Sequence, residues 1–115
     1  MDRTRDWYER ALGLTAGDRP PLEFSGHWLY ADDVPVVHVA DRAEYEAHVA
    51  TMGMAAGTGT GTVDHIALSG TDYDAIRTRL DEAGADYVPN EIPGLMRQLF
   101  VTDPNGVRIE INVRG

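Results

Sequence analysis

Apolar residues recur at helical spacing in two stretches of the chain. In the first, Thr4 is a candidate helix cap and Gly13 a candidate stop. In the second, Thr71 with Asp74 forms a capping pattern, and Gly84 is the stop. Between these ends one face of each predicted helix is apolar, with Trp7, Tyr8, Ala11 and Leu12 in the first and Tyr73, Ile76, Leu80 and Ala83 in the second. Two helices of similar design, with stops 71 positions apart, indicate a duplicated unit.

The segments that follow the two helices also match each other. Trp28–Asp33 is similar to Gln98–Asp103, and each leads through a tight turn into an apolar strand. In the second copy the turn is Asp103–Gly106, a strong hairpin signal because proline presets φ and Asn-Gly tolerates positive φ. The turn of the first copy is shorter by about two residues. After this difference is allowed for, His38 and Glu110 occupy equivalent places.

The order of these patterns predicts two half-modules in one domain. Residues 1–52 form the first half-module, a helix and three strands followed by a short helix or irregular turn from Asp41 to Met52. The Gly/Thr/Ala stretch at 53–62 is typical of a flexible connector. Residues 63–115 form the second half-module, with the order strand–helix–strand–strand–strand. The sequence therefore predicts an α+β fold.

Three polar side chains lie on the face of their strands that is opposite to the aliphatic residues. Side chains alternate along a strand, so Ile66 and Leu68 share one face while His65 points to the other. By the same alternation, His38 and Glu110 point away from their aliphatic neighbours. A lone strand histidine is more often a solvent-facing residue than a ligand. Two histidines and a carboxylate on equivalent faces instead favour a divalent metal: Fe, Mn, Ni, Co or Zn.

Composition narrows the chemistry further. The chain has no cysteine, so any metal must be held by nitrogen and oxygen ligands. Its formal net charge is −9 and all ten basic residues are arginine, a balance that disfavours nucleic acid as a partner. No apolar run approaches the ~20 residues needed to span a bilayer, so we expect no membrane partner. The first residues lack the hydrophobic region of a secretory signal, and a cytoplasmic protein is expected.

Three segments resemble the vicinal-oxygen-chelate superfamily, which includes glyoxalases, bleomycin-resistance proteins and extradiol dioxygenases. They are Asp6–Leu14, Val63–Leu68 and Arg97–Asn112, and with the Trp28–Val39 hairpin they cover nearly the whole chain. The most specific part is a strand, then Asp-Pro-Asn-Gly, then a strand that carries glutamate. The resemblance implies two βαβββ modules whose curved mixed sheets surround a concave site.

The resemblance also implies a ligand set and an assembly. His65 and Glu110 are the expected ligands on the first and last strands of the second module. His38 is the expected ligand on the strand of the first module that matches the strand of Glu110. The first module lacks its opening strand, which in the family carries another ligand. This leaves a sheet edge exposed. We therefore expect a homodimer, of which an exchange of modules between chains is one form.

Two functions are consistent with this resemblance. In an enzyme the metal would polarise an oxygen of a small vicinal-oxygen substrate while Glu110, the candidate catalytic residue, moves a proton. The reaction would be that of a lyase, an isomerase or a dioxygenase. The alternative is a non-catalytic small-molecule or antibiotic-binding protein of the bleomycin-resistance type. Candidate substrate contacts are Arg108, Tyr30, Phe100 and Arg97, although aromatics of this kind are more often core residues and arginines more often surface charges.

Overall fold

A computed structural model describes residues 1–59, 61 and 63–114. The chain divides into two compact units. The first comprises residues 1–9 and 13–59, and the second comprises residues 10–12 with the described residues from 61 onward. The boundary after Gly59 lies within the segment predicted as a connector, of which Thr60 and Thr62 lie outside the described residues. Among the described residues no helix is long and apolar enough to cross a membrane.

The first helix, α1, spans Asp2–Leu12. Met1 occupies the N-cap position without a side-chain hydrogen bond, so the predicted cap at Thr4 was wrong by three residues. Acidic Asp2 in the first turn favours the earlier start through the helix dipole. The predicted stop is confirmed: Gly13 adopts the left-handed conformation with φ 70°, which glycine reaches without a Cβ clash.

The first unit contains an antiparallel sheet of three strands. These are β1 (Thr15–Gly17), β2 (Gly26–Ala31) and β3 (Val34–Ala40), in the order β1-β2-β3. Leu29 of β2 is completely buried and lies opposite Val37 of β3. The ladder shifts register between Leu29 and Tyr30, as at a β-bulge. This bulge decides which residue faces His38.

The connector after the first sheet begins with a regular helix. Helix α2 spans Arg42–Ala50, and the carboxylate of Asp41 caps it by accepting from the backbone N–H of Glu44 at 3.0 Å. Val49 is its buried residue. Of the two interpretations that the sequence allowed for this segment, a short helix is correct.

The second unit is a complete βαβββ module. Its elements are β4 (Ile66–Gly70), α3 (Tyr73–Glu82), β5 (Asp86–Ile92), β6 (Met96–Thr102) and β7 (Arg108–Arg114). The strand order is β4-β7-β6-β5, in which β4 pairs in parallel with β7 and the other pairs are antiparallel. The predicted α+β class and this half-module are confirmed. The mixed sheet is a property of the second unit, since the described strands of the first are all antiparallel.

Helix α3 begins one residue later than its capping pattern suggested. Asp72, and not Thr71, is the N-cap: its carboxylate accepts from the N–H of Ala75 at 3.1 Å. Asp72 has φ 62°, a left-handed conformation that aspartate tolerates better than most residues. Tyr73 and Leu80 are buried, which confirms the apolar face that the spacing predicted.

The two faces of the second sheet differ sharply in character. Residues that alternate along β6 and β7 are buried and apolar: Leu99, Val101, Ile109, Ile111 and Val113. Their neighbours point to the opposite face, where cross-strand partners pair Gln98 with Asn112 and Phe100 with Glu110. The predicted partition of β7 is therefore confirmed. The polar face is where the candidate site lies.

Candidate functional site

His65 and Glu110 meet on the polar face of the second sheet. His65 lies just before β4, and Glu110 is in the middle of β7, opposite Ala67 in the parallel ladder. The Nε2 atom of His65 is 3.5 Å from Oε1 of Glu110. The glutamate side chain is only 16% exposed, whereas that of His65 is 36% exposed. One ligand candidate is thus held within the sheet and the other stands at its rim.

Asp64 sets the tautomer of His65. Its Oδ2 atom lies 2.8 Å from Nδ1 of His65, and because a carboxylate only accepts, Nδ1 is the donor. The same oxygen accepts from Nη1 of Arg108 at 3.1 Å. The hydrogen bond from His65, and next the positive charge of Arg108, hold the pKa of Asp64 below its ordinary value. In a neutral imidazole of this tautomer, Nε2 carries the lone pair that faces Glu110.

This pair fits a divalent cation. A nitrogen lone pair and a carboxylate oxygen are both acceptors, so their approach requires a cation between them or a proton on Nε2. Two ligands at ~2.1 Å from an ion in tetrahedral geometry lie about 3.4 Å apart, close to the distance between His65 and Glu110. A metal-binding histidine also usually donates its other N–H to a carboxylate, as His65 does to Asp64. The chemistry of the donors therefore suits the borderline metals predicted from the sequence.

A chain of amide side chains reaches Glu110 from the other side. Asn112 donates from Nδ2 to Oε2 of Glu110 at 2.8 Å. Gln98 donates to Oδ1 of Asn112 at 3.0 Å, and Asn90 donates to Oε1 of Gln98 at 2.8 Å. Sequence reasoning missed these residues. Alternation along the last strand already put Asn112 on the face of Glu110, and that polar pair was the available signal. The face of Gln98 could not be assigned from the sequence.

An apolar side chain borders the pair. The ring of Phe100 lies edge-on to the imidazole of His65, with 6.1 Å between their centroids and 86° between their planes. Val88, the cross-strand partner of Phe100 on β5, is 65% exposed. The polar pair is thus flanked by an apolar surface that is accessible on β5. Such a combination of few polar groups and apolar walls is typical of small-molecule sites.

His38 belongs to the first unit and has a different environment. Its imidazole stacks on the indole of Trp28, with centroids 4.0 Å apart and planes 8° from parallel. Trp28 is its cross-strand partner, whereas the partner of Glu110 is Phe100. Since Trp28 corresponds to Gln98 in the repeat, the register makes His38 the counterpart of Asn112. The equivalence of His38 and Glu110 that the sequence suggested does not hold, because the bulge at Val36 of β3 and the shorter turn shift the pairing.

Across the described ranges 1–59, 61 and 63–114, no three His, Asp or Glu side chains form a group that could hold a metal ion. The second unit brings two of the predicted ligands together, His65 and Glu110, and adds Asp64 behind the histidine. What the second unit could offer a metal ion is therefore a pair of candidate ligands with their hydrogen-bonding partners.

The four predicted substrate contacts have different surroundings. Phe100 and Arg108 lie on the face of Glu110. Tyr30, in the first unit, donates its hydroxyl to the carbonyl oxygen of Asp18. Arg97 lies on the opposite face, as the partner of buried Val113, and its guanidinium is 4.1 Å from the ring centroid of Tyr73. The structure therefore does not bring Arg97 to the site.

Comparison with known proteins identifies the family. The family model of the Glyoxalase/Bleomycin resistance protein/Dioxygenase superfamily matches residues 1–111. The chain belongs to this superfamily, which confirms the resemblance found in its sequence. A search of the curated proteins found no match.

Solved structures with the same fold carry different functional descriptions. A glyoxylase/bleomycin resistance protein/dioxygenase domain from Frankia sp. EAN1pec has a TM-score of 0.70 and 18% identity over 100% of this chain and 84% of its own. TnmS3, an antibiotic binding protein from Streptomyces sp. CB03234, has a TM-score of 0.65 and 19% identity, with 99% and 86% covered. Lactoylglutathione lyase from Agrobacterium tumefaciens has a TM-score of 0.64 and 15% identity, with 97% and 84% covered. At these identities the likeness establishes the fold, and the site must decide the function.

Proposed function

We propose that this chain is a metal-dependent enzyme that acts on a small substrate with vicinal oxygens, as a lyase, an isomerase or a dioxygenase. The observation that carries the proposal is the 3.5 Å approach of His65 Nε2 to Glu110 Oε1, with Asp64 on the other ring nitrogen. A binding protein that encloses its ligand by apolar contacts does not need such a pair. A metalloenzyme does, since the two atoms suit one divalent ion.

The ligand atoms suit Fe, Mn, Ni, Co or Zn, any of which would polarise a substrate oxygen when bound. The protein's own part is to move a proton and to bind the substrate. Glu110 has an oxygen, Oε1, that faces the site, so it is the candidate proton carrier. Phe100 lies edge-on to His65 and would supply an apolar wall beside a bound substrate. Arg108 holds Asp64, and a role in substrate binding for Arg108 and Tyr30 stays part of the proposal.

His38 is the proposed third ligand, on the strength of the sequence and the family. Its contact in the first unit is the stack on Trp28, which covers one ring face and leaves the in-plane nitrogens open. The stack would fix the plane of the imidazole. The proposal for His38 therefore needs its own variant in any test.

The test is elemental analysis of the purified chain, followed by titration with Mn²⁺, Co²⁺ and Zn²⁺. We expect close to one ion per chain, and a loss of at least tenfold in affinity in each of His65→Ala, Glu110→Ala and His38→Ala. His48→Ala is the matched control, because His48 lies on α2 against Phe24. If His38→Ala binds as tightly as the wild type, His38 is not a ligand. If the wild type takes up no ion, the metalloenzyme proposal is wrong.

A second candidate function is non-catalytic binding of a small molecule or an antibiotic. The observation in its favour is the apolar surface beside the pair, where Val88 is 65% exposed next to Phe100. TnmS3, an antibiotic binding protein, has the same fold, so this fold can serve such a function. A metal-free wild type that binds a drug-like aromatic compound, with affinity lost in Val88→Asp, would favour this function.

The proposal includes a cytoplasmic homodimer, one form of which exchanges modules. Strand β3 supports it, because β3 is the last strand of its three-stranded sheet and its outer side has no strand partner among the described residues. An unpaired edge of seven residues is a natural surface for a second chain. Light scattering of the purified protein tests it. Val36→Pro should weaken the dimer if this edge is used, and a monomeric wild type would contradict the proposal.

A further inference from the structure

The hydrogen bonds that reach Glu110 through side-chain amides all run in one direction. We name the three amides Asn90, Gln98 and Asn112 the amide relay. In each link the amide nitrogen donates towards Glu110: Asn90 to Gln98 at 2.8 Å, Gln98 to Asn112 at 3.0 Å, and Asn112 to Oε2 of Glu110 at 2.8 Å. The carboxylate is the final acceptor of the chain.

The direction follows from the chemistry of the groups. An ionised carboxylate only accepts, so Asn112 must turn its nitrogen towards Glu110. Its oxygen then faces Gln98 and requires a donor, which Gln98 Nε2 supplies. Gln98 is 8% exposed, so a reversed amide there would place two oxygens against each other away from water. The buried middle member therefore locks the orientation of Asn112.

We propose that the amide relay is a positioning device that holds Glu110 by Oε2 and leaves Oε1 as the oxygen that faces His65. The inference deepens the proposed function, on which it rests where Glu110 is taken as a metal ligand. Gln98 and Asn112 are positioning residues. Gln98 acts through Asn112, because the side-chain hydrogen bonds of Gln98 in the amide relay join it to Asn90 and Asn112 and not to Glu110. A change at Gln98 should thus alter a ligand that it does not touch.

Gln98→Glu tests this by reversing the relay. A glutamate at this position accepts only, so it competes with Glu110 for the nitrogen of Asn112 and favours the flipped amide. Glu110 then faces an oxygen and loses its donor. A purely electrostatic effect has the opposite sign, since an added carboxylate near the site attracts a cation. Weaker binding of a divalent ion by Gln98→Glu therefore indicates positioning.

Thr102→Glu is the matched control. Gln98 and Thr102 lie on β6 two residues to either side of Phe100, on the same face of the sheet, and Thr102 is the partner of Arg108. The control thus adds the same charge on the same face of β6, at an exposed position outside the amide relay. Asn112→Ala removes the last link. In that background Gln98→Glu should have no further weakening effect, because its effect passes through Asn112.

The measurement is the affinity for Co²⁺ alone, by calorimetry and by visible absorption of the bound ion. We expect Asn112→Ala and Gln98→Glu to weaken binding about tenfold to a hundredfold, as changes behind a metal ligand typically do. Thr102→Glu should bind at least as tightly as the wild type. Gln98→Met, which keeps the shape and lacks the donor, gives a weaker effect of the same sign and replaces Gln98→Glu if the buried charge prevents folding. Binding by either Gln98 variant as tight as the wild type overturns the inference.

A second readout needs no metal. In ¹⁵N-labelled metal-free protein, the side-chain amide signals of Asn112 should shift in Glu110→Ala and in Gln98→Glu, and stay in place in Thr102→Glu. Should the wild type bind no Co²⁺, the metalloenzyme proposal fails and these signals alone decide whether the relay holds Glu110. Asn112 signals that are unchanged in Glu110→Ala would overturn the inference whether or not Co²⁺ binds.

Discussion

Arg108 donates from Nη1 to Oδ2 of Asp64 over 3.1 Å, so the arginine two positions before Glu110 is paired within the second unit. The same oxygen accepts from Nδ1 of His65 at 2.8 Å. Arg108 thereby acts on the candidate site through Asp64. Its side chain is 54% exposed, and so the ion pair by itself adds little to the stability of the fold. Its consequence is local: it holds the carboxylate that orients His65.

Asp64→Asn is expected to weaken metal binding without unfolding the protein. The amide keeps an acceptor for Nδ1 of His65 but loses the charge that Arg108 pairs with, so the imidazole is held less firmly. We expect a fall of about tenfold in Co²⁺ affinity. Asp74→Asn is the matched control, since Asp74 is an exposed carboxylate in the first turn of α3. Equal affinities of Asp64→Asn and the wild type would show that Asp64 does not orient the ligand.

Arg97→Ala is expected to lower stability and to leave Co²⁺ affinity unchanged. The guanidinium lies 4.1 Å from the ring centroid of Tyr73, on the face of the sheet that packs away from Glu110. Loss of this cation–π contact should cost about 0.5–1 kcal/mol, measured by urea unfolding. Arg3→Ala, at an exposed position of α1, serves as the control. A loss of ligand or metal affinity in Arg97→Ala would return Arg97 to the site.

The sequence was sufficient to predict which face of its strand each candidate ligand occupies. It was insufficient to predict which side chains of neighbouring strands contact that ligand. Alternation put His65 and Glu110 on the non-helix faces of their strands, and the parallel pairing of β4 with β7 then brings them together. Single-sequence periodicity contains no register between strands, and for that reason the partners of Gln98 and Asn112 could not be predicted. Both residues looked like ordinary polar positions of a half-exposed sheet.

The lack of register information also explains why the predicted equivalence of His38 with Glu110 was wrong. The repeat matched Trp28–Asp33 with Gln98–Asp103 correctly as hairpin strands, but the bulge between Leu29 and Tyr30 changes the pairing by one residue. The extra residue lies on β3, where the pairing skips Val36 beside Pro35. A proline is compatible with a bulge in a strand, but it does not by itself define the register. The helix starts failed for a related reason. Met1 and Asp72 are the N-caps of α1 and α3, whereas the capping patterns that begin at Thr4 and Thr71 are not used.

The contact between Asp2 and His27 predicts a dependence of stability on pH. The hydrogen bond from His27 at 2.9 Å, and next the charge of Arg5, lower the pKa of Asp2, while the N-terminal ammonium adds a smaller effect of the same sign. A lowered pKa in the folded state means that the stabilisation is present above the ordinary value of about 3.9. It is lost as the pH falls through the lower folded pKa.

His27→Ala should therefore destabilise the protein at pH 6 and do so less as the pH falls below 4. The measurement is the difference in the free energy of unfolding between variant and wild type at each pH. His48→Ala, which removes a histidine that contacts Phe24, should give a difference that does not shrink in this way. A destabilisation by His27→Ala that is constant from pH 6 to pH 3 would contradict the lowered pKa of Asp2.

Asp103 should control the register on which the site depends. Its Oδ1 accepts from the backbone N–H groups of Asn105 and Val107, both at 2.8 Å, and the turn closes with Gly106 at φ 84°. This hairpin sets Phe100 opposite Glu110. A slip of one residue would turn Glu110 to the opposite face. Asp103 is 6% exposed, so the two N–H groups would lose their partner largely out of contact with water in Asp103→Ala.

We expect Asp103→Ala to lower the free energy of unfolding by about 1–3 kcal/mol and to speed hydrogen exchange at the Val107 amide. Asp103→Asn, which keeps an acceptor oxygen, should lose less. Asp33→Ala, at the exposed turn of the first hairpin, is the control for removal of a turn carboxylate. Because the register positions Glu110, Asp103→Ala should also bind Co²⁺ more weakly than its residual stability alone explains, under conditions where it is fully folded. Unchanged exchange at Val107 together with unchanged Co²⁺ affinity would mean that the strands themselves, and not the turn, set the register of β7.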